Sequence, residues 1–431
     1  MSVPRLDDTA TPSRPWSPWR TVVGFGVVSL SADMVYEGAR SVSGPLLASL
    51  GASAVLVGLV TGLGEAMALL LRLVSGRWAD RSGRHWSLTL LGYGITAVCV
   101  PALAVTPFVG GAGLALACGL ILAERTGKAV RSPAKTALLA QAACGVGLGR
   151  GFAVHKALDQ TGAVAGPLLV AAAAGLAGSL WPALAVLLVP GAAALVVLAW
   201  IRCHTLTPDP AAALAPSLPK PVTSVPSSRW WRPVDGLPTA FWLFAAAAGA
   251  ATAGLVTFGV ISFHLTQDHV VPVASVPLVY AAAMAAEALA ALATGWLFDR
   301  LKGRVLLVLP FLVAAVPPLA FTGSIIAVLA GVLLWGAAMG VQDSTVKALV
   351  ADLVPSPIRA SAYGVFAAVQ GGAAVLGGVV AGSLYERSLP ALVGVVAATE
   401  LVALVLLIVT LRLTRREASA SGRRVDDVTT V

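Results

Sequence analysis

The chain alternates long apolar runs with short polar connections. Most runs approach 20 residues, the length a helix needs to cross the hydrocarbon core of a bilayer. The pattern predicts about twelve spans, at roughly 21–44, 52–74, 87–107, 109–130, 150–173, 181–201, 238–263, 272–295, 305–322, 324–343, 360–384 and 389–412. Gly and Pro recur inside these runs, which membrane helices tolerate better than soluble ones.

The connections differ in charge from one side to the other. After every even-numbered span they carry Lys and Arg: Arg77, Arg81 and Arg84; Arg131, Lys135 and Arg150; Arg202, Lys220, Arg229 and Arg232; Arg300, Lys302 and Arg304; Lys347 and Arg359. The opposite loops offer Arg387 alone. Basic loops stay cytoplasmic, so both termini are expected inside. The Pro- and Ser-rich segment 203–237 then reads as a cytoplasmic linker. The expected organisation is an N-terminal tail over 1–20, a six-helix bundle over 21–202, the linker, a second bundle over 238–412 and a disordered tail over 413–431.

Composition supports lipid as the solvent. The 431 residues are 58% hydrophobic and 11% charged, against about 25% charged in soluble domains. The net charge of +9 would suggest nucleic acid in a soluble protein; here the basic residues sit in loops and act first as topology determinants. Cys99, Cys118, Cys144 and Cys203 fit no metal-ligand spacing and are expected as free thiols. The N-terminal stretch is not a cleavable signal, because the apolar run after it is span-length and contains charges.

The two halves repeat. GRWADRSGR (Gly76–Arg84) recurs as GWLFDRLKGR (Gly295–Arg304), each between the second and third spans of its half. GRGFAVHKALDQTGAVAGP, from Gly149, corresponds to RASAYGVFAAVQGGAAVLGG, from Arg359. Parallel repeats of this kind mark a transporter built from two bundles.

On these residues the chain resembles the major facilitator superfamily, over nearly its whole length. The family's loop pattern is G-x-x-x-D-R-x-G-R-[RK]. Gly76, Asp80, Arg81, Gly83 and Arg84 match it, with His85 where Lys or Arg is usual; Gly295, Asp299, Arg300, Gly303 and Arg304 repeat it with one residue inserted. Gly162, Gly166 and Pro167 are similar to the G-x-x-x-G-P motif of the family's proton-coupled exporters. The family's fourth-span Arg is missing; its place falls near Ile121. The resemblance implies an all-α membrane fold of about twelve helices in two pseudo-symmetric bundles, alternating access between them, and a loop motif acting as a conformational latch.

SADMVYEGARS, Ser31 to Ser41, places Asp33, Glu37 and Arg40 at i, i+4 and i+7, one stripe of a helix. A charge at mid-bilayer costs about 2.5–3.5 kcal/mol on insertion scales, so the stripe is expected to face the bundle interior. It reads as a protonation or substrate site; the alternative is a packing stripe in which Arg40 neutralises Glu37. Glu65 and Arg72 share a stripe of the second span. On the fifth, Asp159 lies one turn from His155 and Lys156. Glu124 and Lys128 have the spacing of an ordinary i, i+4 pair, as do Asp343 and Lys347. In the C half Glu287 approximately mirrors Glu65, and Glu400 reads as structural.

The intramembrane acids of the N half (Asp33, Glu37, Glu65, Glu124, Asp159) are balanced by Arg40, Arg72, Arg125, Lys128 and Lys156. A divalent-metal site would keep surplus carboxylates, and a polyanion site surplus Arg. A neutral network suits a proton relay, in which protonating one acid frees its partner to re-pair. Opposite it the C half is mainly apolar, as an amphiphilic solute would need.

No enzyme signature, cofactor motif, metal cluster or nucleotide-binding domain is found. The expected function is proton-coupled export of a small organic compound by a monomer in a bacterial inner (plasma) membrane, with no nucleic-acid partner. Proton-linked uptake or a uniporter is the alternative within transport. A non-transporting receptor or scaffold on the same fold is the alternative outside it.

Overall fold

The structure is a computed structural model that describes residues 16–205, 237–354 and 358–429. Residues 1–15 and 206–236, which hold most of the expected N-terminal tail and linker, lie outside it. The described residues form helices and no strand.

In the N half, the first span is α1 (Pro18–Ser41) continued by α2 (Ser43–Ser49), and the second is α3 (Ala54–Ser82). Then come α4 (His85–Ala102), a 3-10 turn (Leu103–Ala112) and α5 (Gly113–Ala143). The fifth span is α6 (Leu148–Ala177); the sixth is α7 (Leu180–Ala185) with α8 (Leu188–His204). The C half has α9 (Thr239–Gly254) and α10 (Phe258–Gln267) as its first span, then α11 (Val276–Leu301), α12 (Leu309–Ala320), α13 (Ile325–Leu353), α14 (Arg359–Arg387) and α15 (Leu389–Thr429). Eleven stretches are long and apolar enough to cross a membrane. One of them, His85–Ala143, is 59 residues long and doubles back at Gly110 (φ 64°), so the described residues hold twelve candidate crossings.

Local chemistry sets several ends. Ser17 and Ser53 accept from Arg20 N and Leu56 N, capping the starts of α1 and α3. Gly83, at φ 63°, closes α3 in the left-handed conformation that a side chain would resist.

Three expectations change. The first span bends at Val42. The seventh is interrupted at Leu255–Thr257, where the Trp335 indole N–H donates to the Val256 carbonyl (2.8 Å) and takes the place of a helical bond. The stretch expected to be a disordered tail continues α15 as far as Thr429.

The halves meet most tightly at the face opposite the termini. There α3 and α14 touch backbone to backbone at Gly58 and Gly378, where a Cβ on either would collide with the other's carbonyl. The Ala54 N–H donates to Glu386 Oε1 (2.6 Å), and Thr61 Oγ1 lies 2.8 Å from Thr257 Oγ1. Toward the termini the same two helices separate to side-chain contact, Leu73 against Gly364. The interior is thus closed on one face and loosened on the other.

Candidate functional site

The charged stripe of α1 faces inward, and Tyr36 on it organises a group of cations. Arg125 donates to the Tyr36 hydroxyl through Nη1, and its guanidinium carbon lies 4.6 Å from the ring centre. Lys128 Nζ stands 3.5 Å over the same ring, within cation–π range. The expected Glu124–Lys128 pair is therefore not formed: an aromatic face from another helix takes the lysine.

Glu65 on α3 joins two helices. Arg40 Nη2 donates to its Oε1 at 2.9 Å, and Arg125 Nη2 lies 3.5 Å from the same atom. Arg40 Nη1 is farther from Glu37 Oε2, at 3.7 Å. Arg40 thus serves Glu65 before Glu37, against the pairing the i, i+3 spacing suggests. Glu37 finds its closest partner across the molecule, accepting from Tyr280 Oη of α11 at 2.5 Å. Glu124 accepts from Thr96 (3.4 Å) and lies 4.0 Å from Arg125 Nε; Arg131 also donates to Thr96 and covers the Tyr93 ring at 4.7 Å. A cavity of about 30 Å³ lies among Tyr36, Arg40, Ser43, Thr61, Glu124 and Arg125, space for about one water.

A second cluster sits one to two turns along α1. The carboxyls of Asp33 and Asp159 are within hydrogen-bonding reach of each other. Lys156 Nζ binds Asp159 Oδ2 at 3.0 Å. His155 turns away from Asp159: its Nε2 is 2.9 Å from Ser29 Oγ, which also accepts from Lys135 (2.8 Å). Gly162 and Gly166 explain how this cluster forms. A Cβ on either would collide with the backbone of Leu30 or Met34, so only glycine lets α6 lie directly on α1. Leu30 and Met34 flank Asp33, and Asp159 precedes Gly162 by one turn. The motif thereby brings the two carboxyls together.

Other predicted residues scatter. Arg72 has no hydrogen-bond partner for Nε; its nearest charges are Asp343, Glu65 and Arg131. Glu287 faces the N-half network, with Asp343, Glu37, Arg40 and Lys156 as electrostatic neighbours. Asp343 is the acid that sequence spacing underrated: it is exposed toward Arg72 and Lys156, and the side chain of Lys347 lies outside the described residues. Tyr36, Ser29, Thr96, Arg131 and Lys135 were also missed. For all but Thr96, which is on α4, the signal available was a polar residue on the helix that carries Asp33 or Glu124.

In the loop motif, a Cβ on Gly76 would stand 3.6 Å from Pro133, and Gly83 makes the turn. Asp80 is exposed and makes no ion pair among the described residues. In the second copy Arg300 covers the Trp296 ring at 3.9 Å and Gly303 packs against Leu349 and Leu411. Nothing lies within 4 Å of where a Cβ on Gly295 would be, and the side chain of Asp299 is outside the described residues.

Comparison with known proteins places this geometry. A protein of Mycobacterium tuberculosis described as uncharacterised is 51% identical over 397 residues, covering 91% of this chain and 93% of its own. An uncharacterised MFS-type transporter of Methanocaldococcus jannaschii is 27% identical over 150 residues, 35% of this chain and 36% of its own. Among solved structures, a point mutant of the nucleoside transporter NupG superimposes with a TM-score of 0.68 at 14% identity, covering 91% of this chain and 99% of that one. A point mutant of the peptide transporter POT, in complex with sulfate, gives 0.67 at 14% identity over 92% and 94%. At such identity these two speak for the fold alone. The sequence model of the Major Facilitator Superfamily matches residues 25–316 and again 243–429, and the chain belongs to that family.

Proposed function

We propose that the chain is a proton-coupled secondary transporter that exports a small amphiphilic organic compound by alternating access. It would sit in the inner (plasma) membrane of a bacterium with both termini cytoplasmic. The observation that carries this reading is the contact between Asp33 and Asp159. Two carboxyls that close hold one proton between them, because two like charges side by side repel. Losing that proton leaves two anions, with Lys156 and Lys135 beside them to re-pair. Tyr36, Glu37 and Arg40 adjoin this pair on the same helix; Arg40 reaches Glu65 of α3, and Tyr280 ties Glu37 to the other half. A change of protonation therefore has a route to the interface between the halves.

Export, rather than uptake, rests on the Gly162–Gly166–Pro167 motif and its place beside the carboxyl pair. The substrate class rests on the contrast between the charged N-half wall and the apolar C-half wall, where Phe258, Tyr280 and Trp335 cluster with ring centres 4.5–6.2 Å apart.

The test is transport in proteoliposomes. The compound is first identified by comparing a deletion strain with an overexpressor across a compound panel. Asp33→Asn is expected to abolish the dependence of its flux on an imposed proton gradient while binding persists. Unchanged gradient dependence would sink the coupling role of Asp33, and net movement in the same direction as protons would favour the uptake alternative.

A further inference from the structure

The interruption of the seventh span at Leu255–Thr257 is held from three sides. Trp335 donates to the Val256 carbonyl, and Thr257 meets Thr61 of the opposite half. The third neighbour is Glu400, midway along the apolar part of α15 (Leu389–Thr414). Its carboxyl lies directly on Gly254, the last residue of α9, where a Cβ would collide with Oε1.

Glu400 is 2% exposed, and neither carboxyl oxygen has a hydrogen-bond partner among the described residues. The helices packed around it offer no countercharge. α9 and α12 contain no ionisable residue at all, and the charged or phenolic residues of α14 (Arg359, Tyr363, Tyr385, Glu386, Arg387) sit at its ends. Lys302 and Arg304 lie in the turn before α12, where Gly303 meets Leu411, well along α15 from Glu400. The end of α9 facing Glu400 is a helix C-terminus, with carbonyls left over and partial negative charge. Such a terminus repels a carboxylate and accepts a hydrogen bond from a carboxylic acid.

We propose that Glu400 and the interrupted seventh span form a proton-binding site in the C half, separate from the Asp33–Asp159 pair, whose occupancy sets the angle between α9 and α10. With the proton bound, the acid O–H faces the free carbonyls of α9 and the break stays closed. Without it, the carboxylate faces the negative end of α9 in a dry pocket, and the two parts of the span move apart. α10 carries Thr257's neighbours onto the opposite half, so this site acts on the closed face of the molecule.

Infrared spectroscopy of the purified protein in lipid tests occupancy without any substrate. At neutral pH the wild type is expected to show a protonated-carboxyl stretching band, shifted by deuteration, that is lost in Glu400→Gln and retained in Asp33→Asn. A spectrum unchanged in Glu400→Gln overturns the proposal. The coupling to the hinge is read from spin labels on cysteines placed at the exposed positions Trp242 and Gln267, on either side of the break. In the wild type their separation is expected to change as pH is raised. In Glu400→Gln, which resembles the protonated acid in shape and charge, it should hold the low-pH value throughout. A Glu400→Gln protein whose separation still follows pH overturns the hinge role. These readouts do not pass through transport, so failure of the Asp33 reading leaves them intact.

Discussion

Tyr280 of the C half donates a 2.5 Å hydrogen bond to Glu37 of the N half. It is a direct side-chain bond from the charged network to the opposite bundle, and both residues are buried. A hydrogen bond to a charged group contributes about 1.5–3 kcal/mol. Tyr280→Phe keeps the ring against Phe258 and removes only the donor. Spin labels on cysteines at Ser49 and Gln267, exposed at the closed face of each half, should report a wider separation in the variant. An unchanged distance distribution would show that the bond does not hold the halves together.

The contact of α6 on α1 depends on Gly162 and Gly166. Gly166→Leu places a side chain where the Met34 backbone lies, and overpacking of this kind costs about 1–3 kcal/mol or more. A lower melting temperature in detergent is expected. Gly175→Leu is the control: nothing lies within 4 Å of its would-be Cβ, so the melting temperature should stay close to that of the wild type.

Glu65 is shared by Arg40 and Arg125, which predicts non-additivity. Glu65→Gln leaves two guanidinium groups short of an anion, and with Glu65 nearly a third exposed (31%) a destabilisation of about 1–3 kcal/mol is expected. In the Arg40→Met background the same change should cost less, because one of the two cations is gone. The check is a thermal-unfolding double-mutant cycle. Equal losses in both backgrounds would mean that the pair is uncoupled.

Much of this arrangement was readable beforehand, and the limits have physical reasons. Apolar run length located the spans, since lipid demands it of every helix. The 33/37/40 stripe was readable because α1 keeps helical periodicity through it. The partners were not: Lys128 goes to Tyr36, and Arg40 to Glu65, because residues on other helices compete with those three or four places along the same one. The break at Leu255–Thr257 left no Pro and no polar run. It depends on Trp335 and on Thr61 of the other half, both far away in the chain.

The closed face offers a final prediction. The Ala54 N–H, at the first turn of α3, donates to Glu386 at the last turn of α14. A carboxylate there both caps a free N–H and meets the positive end of α3, an effect of about 0.5–2 kcal/mol. The bond joins the two halves, so its loss acts on the closed form and not on the folding of either bundle alone. Glu386→Ala is expected to lower the ratio of closed to open forms by about fivefold for a 1 kcal/mol loss, read from the label pair at Ser49 and Gln267. Glu386 is exposed, so salt screens the interaction, and the wild type in high salt should move toward the variant's distribution. A salt response equal in wild type and Glu386→Ala would show that the closed face is held by the glycine contacts of α3 and α14 and not by this charge.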